Sequence, residues 1–387
     1  MQITEVTTHL VGNPWKNWLL VRVDTDEGIH GAGEGSLNAF GKTVAAAINE
    51  LRDAFVGLDP TQVELLHQRM VRDIYSDGGQ LHRAAVAAVE IACWDIMGKA
   101  HGRPVHDLLG GRVRDRVRAY ANGWYRHERT PEAFAASARG VAAEGYTALK
   151  LDPFGAAARM TDPVDETLAI AIVEAVRDAV GPDVDLMIEA HSRFSVASAL
   201  RIAERLAPLR PAWFEEPVPH GHVPAIVEVA RRSVVPVATG ESYASIEEFA
   251  SLLAHDAVSI LQPEPLHLGG LWRTRAVATM ADAHAAVVAP HNAQGPICAA
   301  VSRTLGACTP NFAIQESFDA FNADWSRRIV DEPVLPERGY VSVSDRPGLG
   351  VEVDWDALAA HPYRPGNVLR LFEPDWQRRT GDVEEHE

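Results

Sequence analysis

The sequence predicts an α/β protein in which a β/α barrel follows a small α+β capping domain. Residues 116–330 contain eight short apolar runs that end in polar residues and alternate with alanine-rich stretches of helical periodicity. Before them, a hairpin-like pattern is followed by a long region of helical periodicity. Strands that alternate with helices form parallel sheets, and eight such units close into a barrel. A chain of 387 residues is also long enough for two domains.

The capping domain is predicted over residues 1–115. Residues 18–35 show apolar alternation in WLLVRV, then the turn signal DTDEG, then IHGAGEG, which is typical of two strands joined by a turn. From about Lys42 to Ala100, apolar residues recur at intervals of three and four, which indicates helices.

The barrel is predicted over residues 116–330. Its eight candidate strands are VRAYANG, YTALKLD, VDLMIEAH, AWFEEP, VPVATGE, VSILQPE, AVVAPHN and FAIQES. In this fold the chemistry lies at the carboxyl ends of the strands. Residues 331–387 lose the helical pattern and are expected to pack back on the cap, apart from a frayed acidic tail, GDVEEHE.

The composition excludes several classes of partner. The chain has 36 basic and 53 acidic residues and a formal charge of -17, so its field repels nucleic acid and anionic membranes. No signal sequence or membrane span is predicted. Cys93, Cys298 and Cys308 show no metal or disulfide spacing and are expected to be buried thiols, which favours a cytoplasmic protein.

Three carboxylates carry the strongest chemical signal. Glu189, Glu215 and Glu241 end three consecutive predicted strands at equal spacing. They are therefore expected to converge on one point at the catalytic face. Oxygen ligands of this kind suit a hard divalent cation such as Mg²⁺, and the absence of thiolates disfavours zinc.

Two histidines flank the predicted cation site. His291 follows one strand, and Glu264 ends the strand before it, so the carboxylate can orient the imidazole of a general base. His191 lies two residues after Glu189 and is expected to face His291 across the metal.

Lys150 and Asp152 end the second predicted strand and share one face. They form either a buried ion pair or helix cap, or a functional pair in which Lys150 binds the substrate carboxylate or acts as a second acid or base.

Taken together, these residues closely resemble the mandelate racemase and muconate lactonizing enzyme branch of the enolase superfamily. The resemblance is carried by TDEGIHGAGEG and ACWDIMGKAHGRPVHDLLGG in the cap and by WFEEPV, the Gly240-Glu241 pair and HLGGLW in the barrel. It covers nearly the whole chain and implies a modified (β/α)7β barrel, a Mg²⁺ cofactor and a homo-oligomer.

The resemblance also implies residue roles. It makes the three glutamates metal ligands, His291 the base paired with Glu264, and Glu316 a protonated hydrogen-bond donor to the substrate carboxylate. His191 is similar to the general acid of galactonate and mannonate dehydratases. The expected reaction is removal of the C2 proton of a sugar acid, an enediolate intermediate, and loss of the 3-hydroxyl to give a 2-keto-3-deoxy acid.

The sequence departs from the branch at three positions. Glu189 and Glu264 stand where Asp is usual, and Asp152 stands where racemases carry a second lysine. Elimination is therefore favoured over two-base exchange. The alternatives are an epimerase or cycloisomerase that uses Lys150 and His291, and a non-catalytic sugar-acid binding barrel.

Specificity is expected to lie in two cap loops, Asn13 to Trp18 and Asp73 to Gln80. The candidate substrate contacts are Asp152, Arg193, Trp124, Trp15, Trp18 and Tyr75. The expected substrate is a 2-hydroxy sugar acid of five or six carbons.

Overall fold

The computed structural model describes residues 1–378, so the predicted acidic tail lies outside the described residues. The cap begins with an antiparallel sheet of β1 (Ile3–Val11), β2 (Trp18–Thr25) and β3 (His30–Glu34), in that order. The hairpin of β2 and β3 was predicted, but β1 was not. It is an edge strand that buries few of its side chains, so its apolar alternation is weak.

Five α-helices follow in the cap. The predicted helical region is interrupted near Pro60 and near the adjacent Gly78 and Gly79, which do not continue a helix readily. A π-helical turn at Gln68–Arg72 follows the third helix. The helices are α1 (Gly41–Glu50), α2 (Arg52–Phe55), α3 (Val63–His67), α4 (Gly79–Ala100) and α5 (Val105–Leu108).

Helix α4 packs directly on the hairpin, which explains the glycines of β3. A Cβ atom on Gly33 would lie 1.8 Å from the carbonyl oxygen of Ala88, so no larger residue fits without moving the helix. Small residues on both elements therefore set the close approach of sheet and helix.

The barrel consists of eight parallel strands joined by seven helices. The strands lie in sequence order, β11 pairs with β4, and a bridge between Val288 and Phe312 connects the β10 side to the segment before β11. Within residues 1–378 no α-helix follows β11, so the barrel is (β/α)7β, and the predicted fold class is confirmed. The elements are β4 (Arg116–Ala121), α6 (Pro131–Ala143), β5 (Ala148–Leu151), α7 (Pro163–Val180), β6 (Asp185–Glu189), α8 (Val196–Leu206), β7 (Trp213–Glu215), α9 (Val223–Arg232), β8 (Val237–Thr239), α10 (Ile246–Leu253), β9 (Ile260–Leu261), α11 (Leu271–Ala283), β10 (Val287–Val288), α12 (Pro296–Cys308) and β11 (Gln315–Ser317).

Several barrel helices begin at a side chain that accepts a backbone hydrogen bond. Thr130 caps α6, Asp162 caps α7, Ser195 caps α8 and Ser245 caps α10. These residues satisfy backbone N–H groups that have no partner inside the helix. None of the helices formed by residues 1–378 is both long and apolar enough to cross a lipid bilayer.

The barrel interior is filled by one apolar layer with a polar layer above it. The apolar layer contains one buried side chain from nearly every strand: Tyr120, Ala148, Met187, Trp213, Ala238, Ala289 and Ile314. Because strand side chains alternate with a period of two, the residue two positions later points to the same interior. That rule places Lys150, Glu189, Glu215, His291 and Glu316 together at the carboxyl end of the barrel.

The C-terminal segment returns to both domains. Its strand β12 (Tyr340–Ser342) pairs antiparallel with β4. Farther on, Pro362 forms a bridge with Val11, and the amide of Gly12 donates to the carbonyl of His361 at 2.9 Å. The segment thus brings its last described residues to the mouth of the barrel.

Candidate active site

Three carboxylates meet at the carboxyl end of the barrel. Glu189 and Glu215 are paired neighbours at the ends of β6 and β7, and Glu241 follows β8 after Gly240. One oxygen from each lies within 4.8 Å of the others. Gly240 has φ +131°, and a Cβ there would lie 2.7 Å from the Phe249 ring, so the turn that presents Glu241 requires glycine.

The triad fits a divalent cation. Oε2 of Glu189 and Oε2 of Glu241 are buried and make no hydrogen bond. Burial raises the pKa of Glu189 to about 7, and burial together with the charge of Glu189 raises the pKa of Glu215 to about 8. Carboxylates that repel one another, two of them with a buried oxygen that has no donor, are stabilised by a shared cation, and an all-oxygen set suits Mg²⁺.

Lys150 is held by three carboxylates. Its Nζ lies 2.7 Å from Oε1 of Glu215, 2.9 Å from Oε1 of Glu316 and 3.5 Å from Oε2 of Glu189. Burial lowers the pKa of Lys150, but these negative charges outweigh it and raise the pKa well above its ordinary value. The side chain is therefore a fixed ammonium beside the triad.

Glu316 differs from its expected state. Its oxygens accept hydrogen bonds from Asn122 Nδ2 at 2.7 Å, from the amide of Asn292 at 2.7 Å and from Lys150 Nζ at 2.9 Å. Burial raises the pKa of Glu316, but the charges of Lys150 and His291 and the hydrogen bonds from Asn292 and Lys150 lower it to about 2. Three donors surround the carboxylate and favour its ionised form, whereas the resemblance implies a protonated donor toward the substrate carboxylate.

His291 and Glu264 form the expected dyad. Nδ1 of His291 contacts Oε2 of Glu264, and Nε2 of His291 lies 3.5 Å from Oε2 of Glu241. Burial lowers the pKa of His291, but the surrounding carboxylates, Glu241 foremost, raise it to about 10. Because Glu241 is a candidate ligand, a bound cation would offset the charge that contributes most to this rise.

His191 is oriented by Asp152. Nδ1 of His191 lies 2.6 Å from Oδ2 of Asp152, and the His191 amide donates to Oε1 of Glu189 at 2.6 Å. The residue has φ +44°, a strained value for a side chain of this size. Because the carboxylate accepts from Nδ1, the opposite ring nitrogen is left for the cavity. Burial raises the pKa of Asp152, but Arg193 and His191 outweigh it and lower it.

A cavity of 460 Å³ lies above the triad. Its walls come from the barrel, from three segments of the cap and from the C-terminal segment. The volume lies within the range of small-molecule sites. The lining includes Trp15, Lys16, Asn38, Phe40, Gln80, Lys150, Glu189, His191, Glu241, His267, His291, Gln294, Leu371 and Trp376.

Most of the predicted substrate contacts lie elsewhere. Asp152 and Arg193 are buried behind His191, 2.6 Å apart, so they support the imidazole instead of lining the cavity. Trp124 donates to the carbonyl of Lys150, and Trp18 is a core residue against Trp325.

Tyr75 is 98% exposed, so it too does not line the cavity. Of the predicted aromatic contacts, Trp15 alone does, beside the rings of Phe318 and Trp376.

Among the cavity residues that the sequence analysis missed are two with a basic side chain, His267 and Lys16. Nδ1 of His267 lies 2.8 Å from the carbonyl of Glu241, so that nitrogen is protonated, and the buried Nε2 makes no hydrogen bond. Lys16 comes from the loop between β1 and β2. The only signals in the sequence were the position of Lys16 next to Trp15 and the position of His267 within HLGGLW.

Glu216 was also missed, although it organises the triad. Its Oε1 accepts from Thr239 Oγ1 and from the Gly240 amide, and its Oε2 accepts from Ser192 Oγ at 2.5 Å. The buried carboxylate of Glu216 thus connects, through hydrogen bonds, the segments that follow β6 and β8.

Comparisons with known proteins agree with this geometry. A family model described as mandelate racemase / muconate lactonizing enzyme, N-terminal domain, matches residues 6–110. A second model, described as enolase C-terminal domain-like, matches residues 133–357.

Two relatives and one solved structure illustrate the likeness. The D-gluconate dehydratase of Thermoproteus tenax is 35% identical over 94% of this chain and 73% of its own. The D-galactonate dehydratase of Variovorax paradoxus (strain S110) is 33% identical over 100% of both chains. The crystal structure of a putative mandelate racemase/muconate lactonizing enzyme from Labrenzia alexandrii DFL-11 superposes with a TM-score of 0.91, at 33% identity, covering 96% of this chain and 99% of that one.

Proposed function

Because the chain belongs to the mandelate racemase and muconate lactonizing enzyme family of the enolase superfamily, we propose that it is a Mg²⁺-dependent sugar-acid dehydratase. The relatives named above are dehydratases of D-gluconate and D-galactonate. The observation that carries the proposal is the placement of an imidazole on each side of the acidic triad, both lining one cavity.

The triad would hold the metal. Glu189, Glu215 and Glu241 offer oxygens that converge, and two of the three carboxylates have a buried oxygen without a hydrogen bond. A bound Mg²⁺ would supply positive charge to the substrate carboxylate as C2 loses its proton. Lys150 adds a fixed positive charge beside the triad, which favours the developing enediolate dianion over the singly charged carboxylate of the substrate.

His291 is the proposed base. Glu264 accepts from Nδ1, so Nε2 is the nitrogen that takes the C2 proton, and the C–H electron pair moves into the enediolate. His191 is the proposed acid. It delivers a proton to the 3-hydroxyl as the C3–O bond breaks, and water leaves. The remaining enol takes a proton at C3 and becomes a 2-keto-3-deoxy acid.

The contacts of Lys150 do not support an epimerase that uses it as a second base. A base on that side must be neutral, whereas the Lys150 ammonium is also paired at 2.9 Å with Glu316, which is not one of the proposed metal ligands. The dyad of His291 and Glu264 and the strained, oriented His191 around one cavity do not support a non-catalytic barrel.

The test uses purified enzyme with Mg²⁺ and D-galactonate or D-gluconate. A 2-keto product detected with semicarbazide supports dehydration. Deuterium at C2 in D₂O without loss of water supports epimerisation instead.

We further propose a cytoplasmic homo-oligomer. The three cysteines are free and buried, which suits a reducing compartment, and the oligomer rests on the family resemblance. Size-exclusion chromatography with light scattering tests the oligomeric state.

A further inference from the structure

Lys16 is a buried ammonium without a protein partner. It lies between β1 and β2 in the cap, lines the cavity and is 4% exposed. Within residues 1–378 its Nζ makes neither a hydrogen bond nor an ion pair. Removing a charge from water without pairing it is costly, so such a group is unusual unless something else binds it.

The carboxylates nearest to Lys16 already have other partners. Burial lowers the pKa of Lys16, and the carboxylates that partly oppose this effect are Glu264, Glu241 and Glu34. Glu264 is bound to His291, and Glu34 accepts from Ser36 Oγ at 2.6 Å and from two backbone amides at the start of α12. Glu241 belongs to the triad. None of the three is within ion-pair distance of Lys16 in the described part of the chain.

The cavity is lined by one other lysine. Among residues 1–378, Lys16 and Lys150 are the only lysines or arginines that line it. Lys150 is matched by three carboxylates beside the triad, where the reacting end of the substrate belongs. Lys16 comes from the cap instead, as do Asn38 and Phe40, which line the same cavity.

We infer that Lys16 binds a second carboxylate at the far end of the substrate, so that the preferred substrate is a sugar diacid. This inference rests on the proposed function. The diacid places its reacting carboxylate at the triad and Lys150, and its remote carboxylate pairs with the Lys16 ammonium. The ion pair forms at a buried side chain, where charge pairing contributes more than in water.

The first test compares monoacids with diacids of the same configuration, for example D-galactonate with galactaric acid. Wild-type kcat/KM should favour the diacid. Lys16→Met should lower kcat/KM for the diacid by at least about 30-fold, because it breaks a buried charge pair. The same variant should change kcat/KM for the monoacid by less than about 3-fold, because no charge pair is lost there. Lys42→Met is the matched control, because Lys42 is an exposed lysine of the same domain.

The second test is thermal unfolding. Lys16→Met and Lys16→Gln should raise the Tm of the free protein, because each removes an unpaired buried charge. Galactaric acid with Mg²⁺ should raise the Tm of wild type more than D-galactonate does, and this extra shift should vanish in both variants but remain in Lys42→Met.

The outcomes separate the two claims. If neither kind of acid is dehydrated, the proposed function fails, while the thermal shifts still decide the role of Lys16. If monoacids are preferred, or if Lys16→Met lowers kcat/KM equally for both acids, the inference about Lys16 is overturned and the dehydratase stands.

Discussion

His191 and His291 face each other across the barrel. They follow β6 and β10, which are four strands apart in a ring of eight, and each contacts a different carboxylate of the triad. A substrate held at the triad therefore has one imidazole on either side. This arrangement suits an elimination in which the proton and the hydroxyl leave from opposite faces.

Substitution of His291 and substitution of His191 should have different effects on dehydration and on exchange of the C2 proton. His291→Asn should abolish both dehydration and exchange of the C2 proton with D₂O, whereas His191→Asn should abolish dehydration and retain exchange. NMR of the sugar acid in D₂O with Mg²⁺ measures both. His101→Asn, at an exposed histidine, should behave like wild type. Wild-type exchange in His291→Asn would rule out this histidine as the base.

Asp152 should act through His191. In Asp152→Asn the neutral amide no longer stabilises the imidazolium that donates the proton, and it can donate to Nδ1 instead of accepting from it. We expect kcat for dehydration to fall by about 10- to 100-fold. KM and C2 exchange should change little, because Asp152 does not line the cavity. A rise in KM with unchanged kcat would indicate a substrate contact instead.

Glu216 should control metal affinity without being a ligand. Glu216→Gln replaces one acceptor oxygen with a donor where Thr239, Gly240 and Ser192 all donate. The affinity for Mg²⁺ should fall by about 10- to 100-fold, as for other residues that orient ligands. Excess Mg²⁺ should restore kcat. If saturating metal does not rescue the variant, Glu216 has a different role.

Glu90 should make stability depend on pH. It accepts from the amides of Leu271 and Trp272 at the start of α11 and from Trp94 Nε1. Burial nevertheless raises the pKa of Glu90 from 4.5 to about 7. Between these values the folded chain holds a proton that the unfolded chain has released, so the contribution to stability is complete below pH 4.5 and is lost as the pH rises through 7.

The amide in Glu90→Gln cannot ionise, so this variant should not lose stability through position 90 as the pH rises. The free energy of unfolding of the variant relative to wild type should therefore increase by about 3 kcal/mol between pH 4.5 and pH 8. Urea denaturation at both values measures it, with Glu247→Gln at an exposed site as the control. A difference that does not change with pH would show that Glu90 is already ionised at low pH.

The parts of the fold that are buried on both faces were predictable. Strands of a parallel barrel form nearly continuous apolar runs, so all eight were found. Strand β1 was missed because it is a partly exposed edge. The triad and the dyad were predictable because strand ends converge, whatever the details of the loops between them.

The state and the surroundings of the site residues were harder to predict. The ionisation of Glu316 depends on donors from three segments, Asn122, Lys150 and Asn292, which only the folded structure brings together. Lys16 and Trp18 lie two residues apart, yet one lines the cavity and the other fills the core, because the loop turns between them.

Titration of metal-free enzyme with Mg²⁺ in a calorimeter tests the central claim most directly. We predict one Mg²⁺ per chain for wild type and for Glu247→Gln, and loss of that binding in Glu215→Gln, because Glu215 is the middle carboxylate of the triad. Binding that is absent from wild type, or unchanged in Glu215→Gln, would contradict the account.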